Sequence, residues 1–243
     1  WVKRGSCHER GHEEGLAHFI EHTVFKGTRL FPTPEVLAEA TDRLGGHVDA
    51  FTGKEVACFY GKVLADQLPD LVRLLGDLVT APLFDAEELA REQGVILEEI
   101  AQSEDTPDDW VSELFYARYW QGGPLAPPIL GTPDQVRGYG PDQARDFFQR
   151  TYQAPHLVVV AAGDIEPQAF LRLLEPILAL LPGGTRDAEP ARTDITPFLL
   201  NEPRKGLQQA SLILGFPAPT HQSPDRVTAN LLSHVLGGGM ASR

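Results

Sequence analysis

The stretch Gly15–Thr28, GLAHFIEHTVFKGT, constrains this chain more than any other. A helix advances about 100° per residue, so His18 and His22 lie one turn apart on one face and Glu21 falls within the same arc. Two imidazoles and a carboxylate then point into one volume. Histidines at this spacing can bind one metal ion, and a nearby carboxylate can take a proton from water held there. The same residues also suit a plain helix, with two His and a Glu on a solvated edge beside Leu16, Phe19 and Ile20. A catalytic zinc needs a third protein ligand and an open position for water, so the search for that ligand separates the two readings.

The rest of the chain alternates helices with extended segments. Trp1–Gly5 reads as a strand that starts upstream, and Ser6–Glu14 as a polar loop holding His8 and His12. Thr33 and Pro34 predict a helix N-cap and first position, and Gly45-Gly46 a stop. His47–Thr52 and Glu55–Val63 flank Gly53-Lys54 and predict a β-hairpin. Leu68, Leu71, Val72, Leu75, Leu78 and Val79 recur at helical spacing, so a helix is expected near Gln67–Thr80. Asp85 with Glu88 opens a long helix, Ala86 to about Ser103, and Thr106-Pro107 opens another to about Trp120. Helices over Pro141–Tyr152 and Glu166–Leu181 bracket a buried strand, His156–Ala162.

The run Leu181–Pro197, rich in Gly, Pro and charge, is the best linker candidate. After it a strand, Gln208–Phe216, and a helix, Ser223–Leu236, weakly echo the opening strand and motif helix without their ligand positions. Helices alternating with strands, hairpins included, predict an α+β fold with a mixed, largely antiparallel sheet and helices packed on one face. The expected division is a metal-binding domain over 1–181, a linker over 182–204 and the start of a second, similar domain over 205–243.

Composition excludes several classes. With 34 acidic against 21 basic residues the formal net charge is −13, which argues against nucleic acid and anionic membranes as partners. No apolar run approaches the roughly 20 residues a membrane helix needs. Cys7 and Cys58 form no CxxC pair and read as thiols, with a single disulfide between them left open. Arg-rich, Lys-poor, Ala- and Leu-rich usage points to a GC-rich bacterium; a cytoplasmic or periplasmic protein is expected, and the sequence does not say which.

The helix after Asp85 offers Glu87, Glu88, Glu92, Glu98, Glu99 and Glu104 as oxygen donors. Glu92 and Glu99, seven apart, share a face, and Glu98 is turned about 100° away. An acidic helix is ordinarily a solvated one. The motif helix together with Glu99 in EQGVILEE, however, closely resembles the pitrilysin family of zinc peptidases, which includes mitochondrial processing peptidase and insulin-degrading enzyme. GGHVDAFT (45–52), LVTAPLF (78–84), EDTPDD (104–109), LGTPDQV (130–136) and LILGFPAP (212–219) extend the resemblance over nearly the whole chain.

The resemblance implies a pitrilysin-like fold in which His18, His22 and Glu99 bind one zinc ion per site, with water in the fourth position. It makes Glu21 the general base and Glu92 a supporting carboxylate outside the ligand set. Asp49, Ala50, Phe51 and Thr52 match an edge strand that pairs with an extended peptide substrate. Asp49 departs from the family's usual Asn and adds negative charge, from which a preference for basic residues near the scissile bond is expected. Members of the family carry a second homologous domain or subunit that completes the active site. The expected activity is therefore that of a zinc endopeptidase acting on extended or unfolded peptides. The rival readings are a non-catalytic scaffold or partner subunit of the same fold, and a zinc-stabilised structural domain. His8, His12, His47, His156, His221 and His234 lack ligand spacing and read as structural or surface residues.

Overall fold

The computed structural model describes residues 1–185, 195–239 and 242. The chain divides into two compact units, Trp1–Asp194 and Ile195–Arg243. The first unit holds helices α1 (Leu16–Val24), α2 (Pro34–Arg43), α3 (Leu68–Thr80), α4 (Ala86–Asp105), α5 (Pro107–Tyr119), the short α6 (Pro133–Val136), α7 (Pro141–Thr151) and α8 (Pro167–Leu178). Its hairpin consists of β1 (His47–Thr52) and β2 (Ala57–Lys62). The second unit contains α9 (Arg226–Gly237).

Local chemistry sets these boundaries. Thr33 Oγ1 accepts the Val36 N–H at 3.4 Å and Pro34 opens α2, as the sequence predicts. Asp85 Oδ1 accepts the N–H groups of Glu87 and Glu88 at 2.9 and 3.2 Å and so caps α4. Glu88 turns to Arg91 instead of completing a reciprocal box. The motif helix α1 starts differently, because its N-cap is Gly15 at φ +92°. A Cβ on Gly15 would come within 2.5 Å of the Leu130 carbonyl oxygen, so the 130–131 backbone lies directly against the helix start.

The hairpin pairs antiparallel from His47↔Lys62 to Thr52↔Ala57. Helix α1 packs on β1 and on α4 and α7, and α3 packs on β2 and α8. Phe19, Ile20 and Val24 of α1 are fully buried, together with Leu78, Ile96, Val136 and Ala144 from the helices around them. Each large apolar side chain so buried contributes about 1.5–3 kcal/mol, which anchors α1 from its apolar side. Cys7 and Cys58 are buried free thiols. Among the described residues no strand pairs with the outer edge of β1.

Three expected strands are reduced or absent. In Trp1–Gly5 only Val2 pairs, antiparallel to both Ala57 and Leu157. His156–Ala162 pairs only at its start, and Val158, Val159 and Val160 are 44, 47 and 71 % exposed, not buried. Gln208–Phe216 forms no strand, and Leu212, Leu214 and Phe216 are 78, 73 and 77 % exposed. The β-branched and apolar residues of these segments are a valid strand signal. A strand, however, is completed by a neighbour's hydrogen bonds: residues 1–3 and 156–158 exchange only a short set of them, and among the described residues no strand pairing continues along 159–162 or 208–216. The sheet is correspondingly small, and every pairing among the described residues is antiparallel, within the α+β class expected from the sequence. Of the expected linker 182–204, residues 186–194 lie outside the described residues.

Candidate metal centre

Two helices build the site, each through its core-facing pattern. In α1, Leu16, Ala17, Phe19, Ile20, Thr23 and Val24 are buried, which leaves His18, Glu21 and His22 half-buried on the remaining side. In α4, Leu89, Glu92, Ile96 and Ile100 face inward at steps of three and four. Glu99 is half-buried beside that stripe, whereas Glu98 is exposed.

Packing α1 on α4 brings the donors together. His18 Nε2 and His22 Nε2 approach to 3.2 Å. Glu99 Oε2 lies 3.5 Å from His22 Nε2 and 3.8 Å from His18 Nε2. A tetrahedral ion with bonds of about 2.0–2.1 Å has ligand-to-ligand edges of about 3.3 Å, so these separations fit zinc. Among the described residues, His18, His22 and Glu99 are the one group of three or more His, Cys, Asp or Glu side chains placed to share an ion. Burial, and after it the neighbouring His22, pushes the His18 pKa down to about 4. His18 is therefore neutral at pH 7, with a lone pair to donate.

Behind the ligands stands a buried carboxylate. Glu92, 6 % exposed, places Oε2 3.1 Å from His22 Nδ1 and Oε1 2.9 Å from Lys26 Nζ. A carboxylate against the far nitrogen of a ligand histidine fixes the ring's tautomer and orientation, and Lys26 compensates the buried charge. Glu92→Gln is expected to weaken zinc binding about 10–100-fold, measured by chelator competition. Unchanged affinity would show that His22 needs no carboxylate behind it.

Glu21 lies on the same side of α1. Burial raises its pKa, opposed by Thr52 and His22 and reinforced by Asp49 and Glu99. Glu21 Oε2 and Thr52 Oγ1 are buried and make no hydrogen bond, although the hydroxyl lies near enough to favour the ionised form. A carboxylate with a raised pKa and a free oxygen is equipped to accept a proton.

The four residues of the expected substrate strand lie on β1 with alternating orientation. Asp49 and Phe51 are exposed, whereas Ala50 and Thr52 are half-buried. Asp49 Oδ1 accepts its neighbour's Ala50 N–H at 2.8 Å, Oδ2 accepts the Tyr60 hydroxyl at 3.1 Å, and the two bonds lower its pKa. Among the described residues no other histidine belongs to a group placed to share an ion. His156, for example, is buried between Arg4 and the Thr151 carbonyl, at 2.7 and 3.0 Å.

Sequence reasoning missed Lys26, Tyr60 and Glu9. Lys26 continues the His18–His22 step of four and was legible as a member of that stripe. Tyr60 faces Asp49 across the hairpin register. Glu9 accepts backbone amides at the start of α1 from a preceding loop, a contact with no local pattern.

Two histidines and a carboxylate converging on an α+β scaffold, with a further buried carboxylate alongside, define a candidate metallohydrolase centre. Residues 1–133 match the family model described as insulinase, peptidase family M16, and residues 140–243 match that of the peptidase M16 inactive domain. The chain belongs to peptidase family M16. It is 36 % identical, over its whole length, to an "Uncharacterized zinc protease" of Rickettsia bellii and spans 58 % of that relative. The structure of the periplasmic protease PqqL from Escherichia coli aligns with 79 % of this chain and 22 % of its own, at a TM-score of 0.69 and 26 % identity. A protease from Helicobacter pylori shares the fold over 99 % of this chain and 60 % of its own, with a TM-score of 0.83 at 21 % identity. No helix among the described residues is long and apolar enough to cross a membrane.

Proposed function

We propose that this chain is the metal-binding part of a zinc endopeptidase that hydrolyses extended or unfolded peptides. The observation that carries this reading is the convergence of His18, His22 and Glu99 at tetrahedral-edge separations, next to Glu21 with a free buried oxygen. Zinc, when bound, supplies Lewis-acid polarisation of a carbonyl and lowers the pKa of water toward about 7. Glu21 accepts the proton of the attacking water and returns it to the departing amine. Glu92 holds His22 in the orientation that offers Nε2 to the ion. The free edge of β1 offers backbone N–H and C=O groups to a peptide laid along it as an added strand.

On this reading residues 1–181 form the metal-binding domain, 182–204 a linker and 205–243 the start of a second domain, which, or a partner subunit, completes the site. The R. bellii relative is bacterial, in keeping with a cytoplasmic or periplasmic bacterial enzyme. Asp49, kept anionic by Tyr60 and the Ala50 amide, favours basic residues near the cleaved bond. Equal cleavage of peptides with their charges swapped would remove that preference.

The test is zinc content together with hydrolysis of a quenched extended peptide by the full-length protein. One zinc per chain and chelator-reversible cleavage are expected. Zinc without cleavage would favour the non-catalytic scaffold, and absence of zinc would overturn the reading.

A further inference from the structure

The metal helix begins without a capping side chain of its own. Its N-cap, Gly15, adopts φ +92° and lies so close to the Leu130 carbonyl that no Ser, Thr or Asp fits there. The first turn still has orphan N–H groups to satisfy, and His18 is the third residue of that turn. The Leu16 N–H donates to the Glu13 carbonyl at 2.9 Å. Two further donors meet one side chain. Glu9 Oε1 accepts the Ala17 N–H at 2.7 Å, and Glu9 Oε2 accepts the Gly15 N–H at 3.0 Å.

Glu9 is itself fixed to the substrate side of the fold. The 3₁₀ turn Ser6–His8 immediately before it is pinned to the tip of the β1–β2 hairpin. There the Ser6 N–H donates to the Gly53 carbonyl at 3.2 Å and the Cys7 N–H to the Lys54 carbonyl at 2.8 Å. The backbone of residues 6–7 holds this segment to the hairpin tip, next to Thr52, and the Glu9 carboxylate ties the same segment to the turn that carries His18.

We infer that Glu9 is a positioning residue, a strut that sets the first turn of the metal helix against the β1 edge strand. The inference rests on the zinc-peptidase reading of the site, since its consequence is the placement of His18 and Glu21 relative to a peptide on β1. Without both acceptor oxygens the first turn loses the side-chain link to the segment held at the hairpin tip, while the apolar face of α1 keeps the helix in the core.

The experiment compares full-length wild type with Glu9→Ala, Glu9→Gln and, as a stability-matched control, Leu174→Ala in α8. It measures zinc affinity by chelator competition at 25 °C, the visible spectrum of the cobalt-substituted protein, and kcat and KM at saturating zinc. Glu9→Ala is expected to bind zinc about 10–100-fold more weakly, as loss of outer partners of a metal site does. Its cobalt spectrum is expected to be altered and its kcat to fall about 100-fold, the cost of misplacing reacting groups by about 1 Å. Glu9→Gln, which keeps one carbonyl acceptor, falls between. Leu174→Ala loses thermal stability but keeps affinity, spectrum and kcat. If Glu9→Ala melts earlier yet matches wild type in all three readouts, Glu9 is only a helix cap and the inference fails alone. If wild type itself binds no zinc, the underlying reading of the site fails, and this inference with it.

Discussion

Glu21→Gln in the full-length protein is expected to keep one zinc per chain and to lose peptide hydrolysis by about 10²–10⁴-fold, the usual contribution of a positioned general base. The substitution is nearly isosteric and Glu21 lies outside the donor triangle of His18, His22 and Glu99, so metal binding has no reason to change. What disappears is the one group of raised basicity beside that triangle. The amide cannot accept a proton at neutral pH. Zinc content and turnover measured on one sample decide the matter. Near-full activity with metal in place would assign the proton transfer to another group, and loss of zinc would place Glu21 among the ligands.

Removing zinc is expected to produce the second large effect, on stability. The proposed ligands come from two helices separated in sequence by α2, the hairpin and α3, so an ion would cross-link α1 to α4 in the folded state and has no comparable site in the unfolded chain. Ligand at about 1,000 times its Kd adds about 4 kcal/mol, and for a chain of this size each kcal/mol shifts Tm by roughly 2–4 °C. Chelation should therefore lower Tm by roughly 8–16 °C. Glu99→Ala should abolish the zinc-dependent part of that shift, whereas Glu98→Ala, at an exposed position, should leave it intact. The reverse result would exchange the two glutamates. pH adds a further component. His18 has its pKa depressed in the folded state to about 4, so below about 6.5 the unfolded chain takes up a proton that the folded chain refuses. The stability contributed by this group is complete above pH 6.5 and is lost as pH falls toward 4.

The site was more legible in the sequence than the sheet was. His18, Glu21 and His22 are local in sequence, so helical periodicity alone places them on one arc. On α4 the same periodicity puts Glu92 and Glu99 on one face, but it was the resemblance to a known family that singled them out from the other glutamates of that helix. The spacing separates Glu99 from Glu98 by about 100° of helix, and the structure leaves Glu98 in solvent. Capping chemistry marked the starts of α2 and α4 for the same reason, because Thr33 and Asp85 bond to amides two or three residues on. What escaped depends on partners distant in sequence. The apolar run at His156–Ala162 and the β-prone residues of Gln208–Phe216 announce extended backbone, yet such a pattern says nothing about whether a neighbouring strand is at hand. Glu9 escaped because it reaches across a loop to a helix start where glycine has removed the expected capping side chain.

The free edge of β1 carries a liability as well as a use. An open strand edge with an outward aromatic, Phe51, 42 % exposed, is a template for any extended chain, including another copy of this protein. Asp49, two residues before it on the same face and held outward by Tyr60, puts a fixed negative charge on that edge. Two such edges brought together antiparallel would set like charges near each other without compensation. On the proposed reading the acidic residue is thus a gatekeeper for solubility: its charge discourages strand-to-strand self-assembly and leaves the β1 edge open to a single peptide.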